Sequence, residues 1–307
     1  MGNGKGLALA YLTALVSGIA VFANSFGVLT LDATAYTFVK NVLVAAILVA
    51  IGLSLGTWRE FLSLNKKQVL MLSFVGIVGG GAAFVLFFSG LAITGGAVGS
   101  FAYRLLFIFA AVIAVIALKE KFRWKVAAGA LAILAGNYLL LGGAAIEFGV
   151  GLLLVLGATV LWAIEYAVSK KALENLSPTT VASVRMGLGS LIILGVLAFQ
   201  GKLGAIGTIS AESLMWIVVA TGFLALFVTL WYSALKFSSL TSTAAVLTIG
   251  GPVSAFLAFV FAGKALTLVE AGGFLLLAAG AIFVVGASQT VSSFEWLRKE
   301  SLNRLRL

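Results

Sequence analysis

Residues 97–125 read AVGSFAYRLLFIFAAVIAVIALKEKFRWK, and this stretch decides the fold. From Val98 to Leu118 its one charge is Arg104; it then breaks into Lys119, Lys121, Arg123 and Lys125. A hydrocarbon core about 30 Å thick takes roughly 20 apolar residues of helix, so the run reads as a membrane span followed by a basic loop. The same ruler, carried outward, marks ten segments: 7–29, 34–56, 68–91, 97–118, 125–142, 149–170, 178–200, 213–236, 241–262 and 266–288. The runs are continuous rather than alternating, which argues against a β-barrel.

Composition agrees. Of 307 residues 62% are hydrophobic and 10% charged, whereas a soluble domain carries about 25% charged residues. Glycine is abundant at 36 and proline scarce at 2, as suits helices that approach closely where lipid gives no hydrophobic drive for association. The apolar segments recur along the whole length, which a cleaved leader before a soluble domain would not produce. Cysteine and histidine are both absent, so disulfides, thiol chemistry and the commonest zinc ligands are excluded and no metal or cofactor is expected.

The loop charges test the count. With a cytoplasmic amino terminus, one side holds Lys5; Arg59, Lys66 and Lys67; Lys119, Lys121, Arg123 and Lys125; Lys170 and Lys171; Lys236; and Arg298, Lys299, Arg304 and Arg306. The other side holds Lys202 and Lys264. Fifteen against two on alternating sides predicts an even number of spans, both termini in the cytoplasm and a multi-pass protein of the cell membrane. Because the basic groups lie on separate short loops, the net charge of +10 does not point to nucleic acid. Beyond Gln289, in a basic tail of residues 290–307, Phe294, Leu297, Leu302 and Leu305 could form one apolar stripe, either an interfacial helix or a frayed end.

Shifting the sequence by 144 residues lays Ser89, Leu91, Ala111, Gly129 and Gly136 on Ser233, Leu235, Ala255, Gly273 and Gly280, and brings Lys40 within a residue of Arg185. The expected domains are therefore two five-helix repeats, residues 1–144 and 145–289. An odd number of spans per repeat forces the second to enter from the opposite side. The fold class predicted is an all-α membrane protein of ten transmembrane helices in two inverted repeats, a device that places a substrate near the midplane.

The pattern resembles the drug/metabolite transporter superfamily, in particular its EamA-type members with two five-helix repeats. The residues that carry the resemblance are Gly90-Leu91-Ala92 through Tyr103-Arg104-Leu105-Leu106, then Ala117-Leu118-Lys119-Glu120-Lys121 with Gly129 and Gly136. In the second half they are Ser233-Ala234-Leu235-Lys236-Phe237-Ser238, Pro252-Val253-Ser254-Ala255, Gly273 and Gly280. The family often closes the fourth helix of each repeat with Gly-Glu. Here Lys119-Glu120 and Gly263-Lys264 stand at those places, and Pro252 has Ile108 as its counterpart. Halves with unequal roles are expected.

A charge inside hydrocarbon costs several kcal/mol, roughly 2.5–3.5 on insertion scales, so each one is a functional candidate. Lys40, Arg104, Glu165 and Arg185 qualify, whereas Lys170, Lys171 and Lys236 sit near span ends where they can snorkel. Glu165 is the sole acid well inside a span. It suits proton coupling, or a neutralising pair with Arg104 or Arg185 that merely holds structure. The arginine forks favour carboxylates; alternatively Tyr103, Trp162, Tyr166, Trp231 and Tyr232 box an organic cation with Glu165 as counter-ion, though aromatic residues in helices more often pack. Trp58, Trp124, Trp216 and Trp296 read as interfacial anchors. Asn24, Asn41 and Asn137 read first as interhelical glue, and Gly76-x-x-x-Gly80 within Gly79-Gly80-Gly81 as close packing or a hinge. No phosphate-binding Gly-x-x-x-x-Gly-Lys-Ser/Thr loop occurs.

The expectation is a secondary transporter that alternates access to a small polar or amphipathic metabolite. The resemblance implies export of amino acids or related compounds, with helices 1, 3, 4, 6, 8 and 9 lining the cavity. Tyr103, Arg104, Trp162, Glu165, Tyr166, Trp231 and Tyr232 are the substrate-site candidates, and Asn24, Lys40, Asn41 and Arg185 the secondary ones. Protons are the candidate coupling ion, the bilayer is the surrounding partner, and the oligomeric state is open. The rivals are an uptake carrier for organic cations or other metabolites on the same fold, and a channel. An enzyme is not expected, since Glu165 has no second acid beside it in the sequence.

Overall fold

The computed structural model describes residues 2–94, 96–121, 124–141, 148–263 and 267–304. Gly95, Arg123, Gly142-Gly143, Lys264, Leu305 and Arg306 of the sequence reading lie outside them. The described chain is helical almost throughout, with no strand among the described residues.

The first half comprises α1 (Gly2–Gly27), α2 (Ala33–Ser54), α3 (Lys66–Phe74), α4 (Ala83–Thr94), α5 (Gly96–Arg104), α6 (Leu106–Ala117) and α7 (Trp124–Leu139). The second comprises α8 (Val150–Ala172), α9 (Pro178–Phe199), α10 (Ala211–Phe237), α11 (Leu240–Leu247), α12 (Gly250–Ala262) and α13 (Leu268–Val285), followed by α14 (Ala287–Arg304). A π-helical segment, Val75–Ala82, joins α3 to α4. Eight helices are long and apolar enough to cross a membrane, and Phe101–Ala117 is a shorter apolar one. Large apolar side chains face outward, Phe199 at 94% and Leu268 at 93% exposure, a surface that only a hydrocarbon solvent accommodates.

Helix starts follow local chemistry. The Asp32 side chain accepts from the N–H groups of Thr34 and Ala35, Ser177 caps α9 ahead of Pro178, and Asn65 with Gln68 and Thr267 with Glu270 form capping boxes. Two spans read as continuous are broken. Residues 97–118 divide into α5 and α6 at Leu105, and 241–262 into α11 and α12 at Thr248–Ile249. The breaks fall at equivalent positions under the 144-residue shift.

That shift also organises the packing. α1 packs on α10, and their counterparts α8 and α4 pack on each other; α2 packs on its own counterpart α9, and α7 on α13. A Cβ on Gly136 would stand 2.6 Å from the Gly273 carbonyl oxygen, and one on Gly129 would stand 2.8 Å from that of Gly280. The reverse contacts, Gly273 to Gly136 and Gly280 to Gly129, are each 2.8 Å. Four glycines matched by the repeat thus meet crosswise, Gly129 on Gly280, the counterpart of Gly136, and Gly136 on Gly273, the counterpart of Gly129, with the helices antiparallel. Reciprocal contact of this kind is what a two-fold axis between the helices requires.

The ends of the fourth spans explain the missing Gly-Glu pair. Gly263 closes α12 at φ 64°, and Lys119 occupies the same left-handed region after α6 at φ 56°. Glu120 then folds back, its N–H donating to the Ala114 carbonyl (3.0 Å). A left-handed residue bearing a Cβ costs roughly 1–2 kcal/mol, part of which glycine returns as chain entropy. Lys119→Gly is therefore expected to raise stability by about 1 kcal/mol, read as a higher thermal midpoint in detergent; an unchanged or lower midpoint would count against strain at this turn.

The tail is helical. α14 packs on α1, with the Tyr11 and Thr290 hydroxyls 3.1 Å apart and the rings of Tyr11 and Phe294 at 5.3 Å. Of the proposed stripe Phe294 joins this contact, while Leu305 lies outside the described residues.

Candidate functional site

Glu165 on α8 is wholly buried. Its Oε1 accepts from the Ser169 hydroxyl one turn away (2.5 Å) and from the Tyr232 hydroxyl of α10 (2.9 Å), and its Oε2 stands 3.5 Å from Nε of Arg185 on α9. Between the two candidate partners, the structure pairs it with Arg185. Neither that Oε2 nor that Nε has a hydrogen bond among the described residues, so the pair is held by charge rather than by a closed fork.

Glycine creates the space. A Cβ on Gly79 would collide with the Glu165 side chain, its carboxyl carbon at 2.6 Å, and one on Gly80 would collide with the Arg185 carbonyl. Both lie in the π-helical segment, whose widened turn leaves the Gly79 carbonyl to accept from the Trp162 indole N–H (2.9 Å). The glycine run that read as packing or hinge therefore frames the carboxylate directly.

The aromatic candidates form two stacks beside the ion pair. Trp162 meets Tyr103 edge-on at 5.4 Å, with Phe84 and Phe87 at 5.2 and 5.3 Å. Tyr166 meets Trp231 at 4.6 Å, and the Trp231 indole nitrogen is buried without a partner among the described residues. Phe84, which nothing in the sequence singled out, stacks on the Arg185 guanidinium at 5.5 Å.

The other candidates lie apart. Arg104 donates to the Asn137 side-chain oxygen (3.2 Å), and Asn137 in turn donates to the Phe101 carbonyl (3.0 Å). Lys40 donates to Asn24 (2.9 Å) and sits over the Tyr36 ring at 5.0 Å. The side-chain nitrogen and oxygen of Asn41 are both buried without a hydrogen-bond partner among the described residues. Among the described residues two ion pairs form, Glu165–Arg185 and Asp32–Lys202, so neither Lys40 nor Arg104 has a carboxylate.

A vestibule of about 300 Å³ leads toward this site between α2, α4 and α9. Its mouth carries Asp32, Lys202 and Gln200, its walls Thr37 and Ile193, and its lining includes Phe84. Asp32 and Lys202 pair across the mouth at 2.8 Å, an exposed contact worth little. Partial burial works to raise the Asp32 carboxyl, but bonds from Lys202 and from the N–H groups of Ala35 and Thr34 outweigh it and hold it below its usual range. At the opposite face the halves are fastened: Glu120 accepts from the N–H groups of Leu240 (2.7 Å) and Thr241 (3.4 Å), and Glu60 from that of Ser177 (2.9 Å). There the Lys170 ammonium caps the carbonyls of Leu235 and Ser238, and Lys236 that of Leu176, so both do more than snorkel. A second cavity of about 680 Å³ lies between α6, α7, α11 and α13, with Glu120, Lys121, Ser239, Thr241, Ser242 and Gln289 as its polar lining.

A profile described as the EamA-like transporter family matches residues 4–142 and again 149–286. The chain belongs to the EamA-like transporter family. The two matches within this transporter coincide with the halves related by the 144-residue shift. No curated protein matches it. A solved crystal structure is similar to the transporter at a TM-score of 0.76 with 19% identity, over 91% of this chain and 98% of that one, a likeness that carries the fold alone.

Proposed function

We propose that the transporter is a secondary active carrier that moves small polar or amphipathic metabolites such as amino acids by alternating access, in the direction of export. The reading takes ten spans, the short α5–α6 and α7 included, in two inverted repeats over residues 1–144 and 145–289, in the cell membrane with both ends cytoplasmic. The observation that carries it is the buried Glu165–Arg185 pair, left with unbonded polar atoms below a vestibule that runs between the halves. A pair meant only for structure closes its hydrogen bonds; one that must exchange partners with a cargo keeps some open. Trp162, Tyr166, Trp231, Tyr232 and Tyr103 supply aromatic walls, and Phe84 covers Arg185 as the gate on the vestibule side. We also assign Arg104, which Asn137 holds apart from the pair in this conformation, to the cavity of the other access state.

The vestibule at the Asp32–Lys202 face, spanned at its mouth by one exposed ion pair, and the hydrogen bonds that fasten the halves at Glu60 and Glu120, beside the larger cavity, support an outward-facing conformation. Rocking of the halves would exchange the two, and the reciprocal glycine contact of α7 with α13 provides a close pivot.

The test is flux into proteoliposomes across a panel of amino acids, organic acids and organic cations, with and without a pH gradient. Saturable uptake is expected, and Glu165→Gln is expected to reduce it at least tenfold and to flatten its pH dependence. Unsaturable flux would show a channel; untouched flux and pH dependence in the variant would remove Glu165 from the mechanism.

A further inference from the structure

Well inside the spans, away from their ends, the basic groups Lys40, Arg104 and Arg185 face a single acid, Glu165. Arg185 is the one that Glu165 answers. Lys40 and Arg104 are satisfied by the neutral amides of Asn24 and Asn137. A bilayer interior tolerates a charge when an opposite charge visits it, and the described residues supply none for these two.

The vestibule leads to the same place. Thr37 lines its wall on α2, and Asn41 lies one turn further along the same helical face, about 6 Å deeper. Asn41 is 1% exposed, yet neither its amide nitrogen nor its oxygen has a hydrogen-bond partner among the described residues. On α9, Ile193 lines the opposite wall, and Arg185 lies two turns along that face, its guanidinium against the Phe84 ring. The 144-residue shift places Asn41 on Arg185. The two residues are repeat counterparts on the one pair of helices, α2 and α9, that flank both the vestibule and the two-fold axis.

Resting on the transporter reading, we propose that the substrate is a small organic anion, its oxyanion docking beneath Phe84 between the Asn41 amide and the Arg185 fork, with Lys40 supplying further positive charge. The amide nitrogen of Asn41 and the guanidinium donate to the anion, and both are pre-placed in a region that excludes water. A vestibule of about 300 Å³ stands at the small end of ligand sites and fits a metabolite of a few carbons. A cation would approach Arg185 and Lys40, of which Glu165 answers only the first.

Counterflow in proteoliposomes with succinate, glycerol 3-phosphate, alanine and choline separates the outcomes. Saturable transport of either anion, at least tenfold more efficient than of alanine or choline, is expected, and which anion wins tells carboxylate from phosphate. If alanine or choline wins, the anion inference falls and the transporter reading stands; if no compound shows saturable flux, both fall. Asn41→Leu is the second arm. It removes a buried amide without partners, so its thermal midpoint is expected to equal or exceed that of the parent while anion affinity falls at least tenfold. A lowered midpoint with unchanged affinity would make Asn41 a structural residue and overturn its place in the site.

Discussion

Replacing Arg185 by leucine is expected to cost the fold about 3–5 kcal/mol, because it strands the wholly buried Glu165 without a counter-charge. The loss also strips Phe84 of the cation beneath its ring. Thermal unfolding in detergent measures the first effect and proteoliposome flux the second, which is expected to vanish. The double variant Glu165→Gln/Arg185→Leu distinguishes stability from function. With both charges gone, most of the stability should return, since a neutral buried pair is often as stable as an ionic one. Transport should not return. A single variant as stable as the parent, or a double variant that transports at the parental rate, would refute the role of this pair.

The second large effect is expected at Gly80. A Cβ there would meet the Arg185 carbonyl, and one on Gly189 would stand 2.6 Å from the Gly80 Cα, so the two backbones touch. Gly80→Val has no flexible neighbour to displace; it must push the π-helical segment off α9. Overpacking of this kind costs typically 1–3 kcal/mol, and the shift would carry Arg185 away from Glu165, so flux is expected to fall to background. Gly157, with nothing within 4 Å of its Cβ position, is the control: Gly157→Ala should leave flux intact and hold or raise stability. Equal behaviour of the two variants would mean that close approach at Gly80 has no functional weight.

Part of this site was legible in the chain. Glu165 stood out because an acid in a long apolar run is costly, and the aromatic residues around it were visible by their spacing. The shift of 144 residues, read from a handful of small side chains, matched the glycines of α7 with those of α13 as counterparts, and the packing showed that they meet crosswise. The apparent defect at Lys119-Glu120 proved structural only in part, since Lys119 adopts the left-handed turn that Gly263 adopts in the other half, and Glu120 uses its carboxylate to cap α11 across the halves. Arg104 was placed with Glu165 as readily as Arg185 was, and nothing in the sequence favoured one. Phe84 was one phenylalanine among 23.

Composition and loop charge alone established the solvent and the approximate spans, because cost in hydrocarbon is a property of each residue taken singly, and the 144-residue shift added the kinship of the halves. The choice of Arg185 for Glu165, the breaks at Leu105 and Thr248–Ile249, the π-helical widening and the vestibule above Phe84 were settled by the packed structure. A span that is apolar around most of its circumference does not encode which side faces its neighbours. Azimuth and depth are set when distant helices interlock, so contacts such as Glu165–Arg185 and Phe84–Arg185 become definite only in three dimensions.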